Sequence, residues 1–226
     1  MKKIYLSFLF ILLFINSAYS VSGTGDASVY KVTMKKVELC EDADCNNTYT
    51  VGERDMEVDI ASADAGADVG NYAPTTGIPM GKTYTHLQVT ISRTFTISGS
   101  VTLTGDDCYT DGGTDAATDQ MLVGKTSASA VETSMILVDA DTYDREDGSG
   151  SGAHIEISYA SPVYATKMTV SGDNAVLIYK LTSPYTSGMT APRIVVEFGT
   201  RNAIGAENTT ACVMWVEEPL CTISIE

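Results

Sequence analysis

Leu87-Gln88-Val89-Thr90-Ile91-Ser92-Arg93-Thr94-Phe95-Thr96-Ile97 decides the fold. Every second position from Leu87 is apolar except Arg93, and Gln, Thr and Ser fill the gaps. Strand side chains point alternately to opposite faces, so this stretch predicts a long strand with one face buried. Arg93 is its discordant inward position.

The same period recurs on both sides of it. Tyr30, Val32 and Met34 alternate with polar residues; the phase slips at Lys35-Lys36 and resumes at Val37 and Leu39. That slip predicts a bulge or a bend. Met56, Val58 and Ile60 alternate next. Further strands are predicted over 100–103, 135–138, 154–159, 163–170, 175–181, 193–198, 211–216 and 221–225, about eleven in all. Turn chemistry separates them at Gly99, Ser171-Gly172-Asp173-Asn174, Ser183-Pro184, Ala191-Pro192 and Gly199. Only Asp119 to Ser134 admits a helical reading, and its Ser, Thr, Gly and Ala content weakens that. Many short strands with regular turns predict an all-β protein, an antiparallel β-sandwich of Ig-like or transthyretin-like kind. Gly105 to Ala130, rich in Asp, Gly, Thr and Ala, reads either as an excursion from one sandwich or as the joint between two packed β-modules.

The chain opens with a basic Met1-Lys2-Lys3, an apolar run from Ile4 to Ile15 broken by Ser7, and a polar stretch ending Ala18-Tyr19-Ser20. That is the order of a signal peptide cut before Val21. The expected division is 1–20 as signal peptide and 21–226 as the β-sandwich, with a subdivision near 105–130. The apolar run falls short of the roughly 20 residues that a membrane span needs. The first cysteine is Cys40, well past the cut, so a lipid anchor there is not expected. The expected location is the periplasm, the cell surface or the extracellular space, with no membrane insertion after cleavage.

Cleavage leaves 206 residues. Losing Lys2 and Lys3 leaves 12 basic against 29 acidic residues, a net charge of −17. Such a charge repels phosphate backbones and anionic lipid surfaces, which disfavours nucleic acid as a partner. All five cysteines, Cys40, Cys45, Cys108, Cys212 and Cys221, lie after the cut, so at least one lacks a partner within the chain. Cys40 and Cys45 flank an acidic turn, which suits a local disulfide. Cys212 and Cys221 flank a bend at Glu217-Glu218-Pro219, which suits a bridge across a hairpin and leaves Cys108 as the odd thiol.

Three residue classes carry the candidate chemistry. Asp106, Asp107 and Asp111, continued by Asp115 and Asp119, form one acidic loop; Asp139, Asp141 and Asp144, continued by Glu146 and Asp147, form another. Calcium takes several oxygens from flexible loops of this kind, though neither has an EF-hand pattern and solvated turns look the same. Abundant carboxylates also admit a hydrolase with a carboxylate pair, which the sequence does not single out. His86 and His154 are the only histidines and no nucleophile motif accompanies them, so no catalytic residue is assigned. Twelve tyrosines, with Tyr143, Tyr159, Tyr164, Tyr179 and Tyr185 in the second half, suit sugar stacking, interfaces or strand cores alike. Trp215 alternates with Val213 and reads as core.

Ile78-Pro79-Met80-Gly81-Lys82-Thr83-Tyr84 followed by Leu87-Gln88-Val89-Thr90-Ile91 resembles an element of transthyretin-like and carboxypeptidase-regulatory-like β-sandwich modules. There a Pro- and Gly-bearing turn feeds a core strand, the glycine making the turn and the tyrosine packing at the strand start. The resemblance implies a secreted sandwich module and carries no catalytic residue.

The leading expectation is therefore a secreted, non-catalytic subunit of the cell envelope, structural, adhesive or filament-forming, whose partners are other envelope proteins or copies of itself. The alternatives are a polysaccharide-binding module assisted by calcium, and the hydrolase. No other cofactor is expected.

Overall fold

A computed structural model describes residues 21–62, 77–104, 106–111, 121–123, 129–137, 142–145, 149–150, 164–208 and 212–225. The expected signal peptide, His154, Tyr159, Asp139 and Asp141 lie outside the described residues. Among those described, the chain forms strands and turns and no helix. In order the strands are β1 (Val21–Gly25), β2 (Ala27–Cys40), β3 (Thr48–Asp59), β4 (Thr83–Leu103), β5 (Asp106–Tyr109), β6 (Met121–Val123), β7 (Thr133–Ile136) and β8 (Tyr143–Asp144). β9 (Ser149–Gly150), β10 (Lys167–Ser171), β11 (Asn174–Thr186), β12 (Ile194–Gly199), β13 (Ile204–Asn208), β14 (Cys212–Val216) and β15 (Leu220–Ile225) follow.

The alternating stretch that opened the sequence lies at the centre of the largest sheet, whose order is β3-β2-β4-β11-β10-β8-β9. Leu87, Ile91, Phe95 and Ile97 are buried as the period requires, while Val89 and Arg93 are half-buried. β4 is long enough to serve two neighbourhoods. Its first part lies between β2 and β11, with Leu87 opposite Leu39 and Tyr179. Its second part pairs with the start of β2 and takes on β7 and then β5, Val101 facing Cys108. A second sheet, β1-β13-β14-β6, lays β1 and β13 against that second part. A third, β12-β15, sets β15 against β11. The named ladders are all antiparallel, and one buried apolar cluster runs from Ala27 to Ile223 between the sheets. The fold is all-β and sandwich-like.

The predicted slip at Lys35-Lys36 is present: the register of β2 jumps between Met34 and Lys36 against both β3 and β4. Two predicted turns are not. Gly99 lies inside β4, where a Cβ would stand 2.5 Å from Ile204 Cδ1 and 2.7 Å from Asp26 O. The glycine permits two sheets to approach rather than breaking a strand. Ser183-Pro184 lies inside β11, where the register against β4 shifts between Lys180 and Tyr185. A bulge accommodates a proline that a regular ladder would reject. The Asp119–Ser134 stretch supplies β6 and the first residues of β7.

The cysteine pairing also differs. Cys40 bonds Cys45, as its spacing suggested. Cys212 bonds Cys108, however, and Cys221 is the free, buried thiol. The expected Cys212–Cys221 bridge fails because Glu217-Glu218-Pro219 does not turn a hairpin. It carries the chain from β14, in the four-stranded sheet, to β15, in the two-stranded one. Cys108 on β5 meets Cys212 with Cα atoms 5.7 Å apart, so the bridge ties β5, paired to the long β4, to the second sheet. It closes a separation of 104 residues, for which loop entropy lost from the unfolded chain is worth about 4 to 5 kcal/mol.

Candidate functional site

Of the acidic residues singled out from the sequence, Asp107, Asp111 and Asp144 have described side chains. Asp106 and Asp107 open β5. Tyr109 Oη donates to Asp107 Oδ2 at 3.5 Å. Asp111 is exposed, and its backbone bridges Val131. Asp144 is taken by Lys167 Nζ at 3.0 Å. Lys167 also reaches Asp44 Oδ1 at 3.2 Å, and these two carboxylates hold its ammonium above the usual lysine range. Among the described residues no three His, Cys, Asp or Glu side chains are placed to hold one metal ion.

Buried charge appears instead at two places that the sequence reading did not single out. The first underlies β2 and β3. Glu38 Oε1 receives Lys36 Nζ at 2.8 Å and the hydroxyls of Thr48 and Thr50 at 3.2 Å each, and its Oε2 receives Gln88 Nε2 at 2.8 Å. Burial pushes this carboxyl up, but the bonds from Lys36, Gln88 and Thr48 outweigh it and hold it below the usual glutamate range. Beside it, His86 lies opposite Cys40, buried, with Nδ1 2.9 Å from Thr85 Oγ1. Asp42 ties the Cys40–Cys45 loop: its oxygens accept the backbone amides of Asp44, Asn46 and Asn47.

The second place underlies β15. Glu218 Oε2 is 2.8 Å from Arg145 Nη2, with 10% and 6% of the two side chains exposed. Glu218 Oε1 accepts the Ala165 amide at 2.6 Å, and Arg145 Nη1 donates to the Ala165 carbonyl. The ring closes, so each charge is met from two directions, as a buried ion pair requires. Arg145 also lies over the Tyr164 ring, 5.5 Å from its centroid. The adjacent Glu217 accepts Trp215 Nε1 at 2.7 Å through its side chain and Tyr30 Oη at 3.2 Å through its carbonyl. Trp215 and Tyr30 are both buried, which bears out the core reading of the tryptophan. Burial first, then the two glutamates, raises the Tyr30 hydroxyl well above the ordinary tyrosine range. Arg145 was legible in principle: it is an arginine embedded in the Asp139–Asp147 acidic run.

Two surface features remain. One is an open hollow of about 260 Å³ lined by Ile78, Met80, Tyr185, Met189 and Pro192 among others. Met80 and Met189 are 70% and 96% exposed. The turn at its rim is the one that carried the family resemblance. Gly81 has φ +77°, which permits the tight reversal, and Tyr84 is buried at the start of β4 with its ring stacked on Tyr185 at 6.4 Å. Ser187 fastens this turn: its carbonyl accepts the Gly81 amide, its hydroxyl accepts the Lys82 amide, and the same hydroxyl donates to the Pro79 carbonyl.

The other feature is β12. It pairs with β15 through six consecutive positions without a register break. Ile194, Val196 and Phe198 pack on the core, opposite Ile225, Ile223 and Cys221. Val195, Glu197 and Gly199 face outward, opposite Ser224, Thr222 and Leu220. Among the described residues β12 has no second neighbour. Alternate residues of an edge strand turn N–H and C=O away from the sheet, available to another strand.

No protein-family model matches the chain, and neither a curated protein nor a solved structure matches it. Among the described residues no helix is long and apolar enough to cross a membrane. The two disulfides are compatible with an extracellular location.

Proposed function

We propose that this chain is an exported, non-catalytic β-sandwich that serves the cell envelope as a structural or adhesive subunit, working through surface contacts. The edge of β12, which has no second neighbour among the described residues, carries the reading. A regular, largely apolar strand left at a sheet margin is the part of a β-protein best suited to bind another strand. The buried carboxylates support it, because Glu38 and Glu218 are committed to cations and amides inside the fold. The signal-like start of the chain supplies the export.

The test is fractionation of the native host, with intact cells probed by an antibody or an impermeant label. The expected result is a chain lacking residues 1–20, accessible from outside and held in cross-linked envelope complexes. Recovery from the cytosol with Met1 to Ser20 intact overturns the reading.

Carbohydrate binding is the second reading, favoured by one observation: Tyr185 lines the hollow between Met80 and Met189. A tyrosine ring there offers apolar area with a polar tip to a sugar. A glycan array read with and without a chelator tests it, and silence across polysaccharides ends it.

A further inference from the structure

We infer that Met80 and Met189 form an oxidation site, a pair of thioethers at one hollow that takes up oxygen from hydroperoxides and turns that surface polar. The two side chains are 70% and 96% exposed, and both line the hollow beside Tyr185. The susceptibility of a sulfur to oxidants follows its exposure. The other methionines are placed differently. Met34, Met135, Met168 and Met214 are buried, and Met56 packs against the core. Among the methionines whose side chains are described, oxidation is therefore directed to this pair and away from the core.

Two chain reversals carry the pair, and Ser187 joins them. The Ser187 amide donates to the Lys82 carbonyl at 2.9 Å, and the Gly81 amide donates to the Ser187 carbonyl at 2.9 Å. The Lys82 amide donates to the Ser187 hydroxyl at 3.1 Å, and that hydroxyl donates to the Pro79 carbonyl. Ser187 is buried, so these bonds are shielded from water. Met80 lies within the stretch that they clasp and Met189 lies two residues past Ser187, so one fastening presents both. The step itself is simple. A sulfur lone pair attacks one oxygen of a hydroperoxide. The S–O bond forms as the O–O bond breaks, and the departing oxygen takes a proton and leaves as water or an alcohol. Sulfur loses two electrons and the peroxide gains them. The sulfoxide is polar and chiral where the thioether was apolar, and reductases reverse it. Because the buried methionines are spared, the fold persists and the surface of the hollow alone changes.

The inference goes beyond the readings above, resting on exposure and chemistry and not on what the hollow binds, so its failure leaves both standing. The mature chain Val21–Glu226 is treated with graded hydrogen peroxide, mapped by peptide mass spectrometry and run on hydrophobic-interaction chromatography. Beside it run the double variants Met80→Leu/Met189→Leu and Met80→Gln/Met189→Gln. Circular dichroism confirms that each is folded before and after treatment. Met80 and Met189 should each gain one oxygen about tenfold or more faster than Met34, Met135, Met168 and Met214. The oxidised chain should elute earlier, and a methionine sulfoxide reductase should return it to its starting position. The glutamine variant should elute early without peroxide. The leucine variant should elute with the parent and stay there in peroxide. Buried methionines that oxidise as fast as the exposed two overturn the site. Oxidation confined to one of the two, or a leucine variant that shifts in peroxide as far as the parent, overturns the pair.

Discussion

β3 and β12 both close a sheet among the described residues, and they are built in opposite ways. β3 is twice as long, 12 residues against six. Its register against β2 breaks twice, and it carries Glu53, Arg54, Asp55, Glu57 and Asp59. Bulges twist an edge away from a flat approach, and charges make stacking another strand on it costly. β12 is short, unbroken and apolar apart from Glu197. Each margin is underpinned by one buried carboxylate, Glu38 beneath β2–β3 and Glu218 beneath the approach to β15. Among the described residues the difference thus lies in the edges themselves, one broken and charged, the other regular and apolar, and not in how firmly they are seated.

The sharpest blow to that comparison is to unseat one margin. Glu218→Gln leaves Arg145, 6% exposed, without its anion. Breaking a buried pair costs about 3 to 5 kcal/mol, so thermal denaturation should show a large loss of stability. Glu38→Gln should cost somewhat less, about 2 to 3 kcal/mol, since Lys36 remains 31% exposed and water can replace part of the pair. The pH dependence follows from the lowered Glu38 carboxyl. Its contribution is fully present above the ordinary glutamate pKa of about 4.3 and is lost as pH falls through the lower folded value. The melting temperature of the parent should fall in that acid range, and Glu38→Gln should flatten this part of the curve.

Next come paired edge substitutions. Val195→Lys should abolish the cross-linked envelope complexes while shifting stability by no more than about 0.5 kcal/mol; Asp55→Lys on β3 should alter neither measurably. The smallest effect concerns Cys221. Burial, then the Glu218 charge, pushes its thiol far above the ordinary range. A thiol reagent should therefore label it slowly in the folded chain, and labelling that precedes global unfolding would locate local opening at the β12–β15 margin.

The strands with strict alternation were legible in the sequence, and so was the Lys35-Lys36 bulge, because a phase slip leaves a mark on the apolar period. Gly99 and Ser183-Pro184 were misread, because turn chemistry and strand irregularity use the same residues; only the neighbouring sheet explains why Gly99 lacks a side chain. The Cys108–Cys212 bridge was illegible, because it joins strands 104 residues apart whose contact depends on sheet order. The Arg145–Glu218 ring was hidden for the same reason, its halves read separately as an acidic run and a bend. The β12 strand was visible, but its position at a margin was not, since hydrogen-bonding neighbours are a property of the assembled sheets.

Amide hydrogen exchange measured on the purified chain and on the chain within its envelope complexes tests most directly whether the two margins differ as described. Residues 193–198 should gain protection in the complexes, while residues 48–59 stay unchanged. Protection that is the same in both states for both strands, or that grows along β3 instead, would contradict the assignment of β12 as the edge this molecule uses.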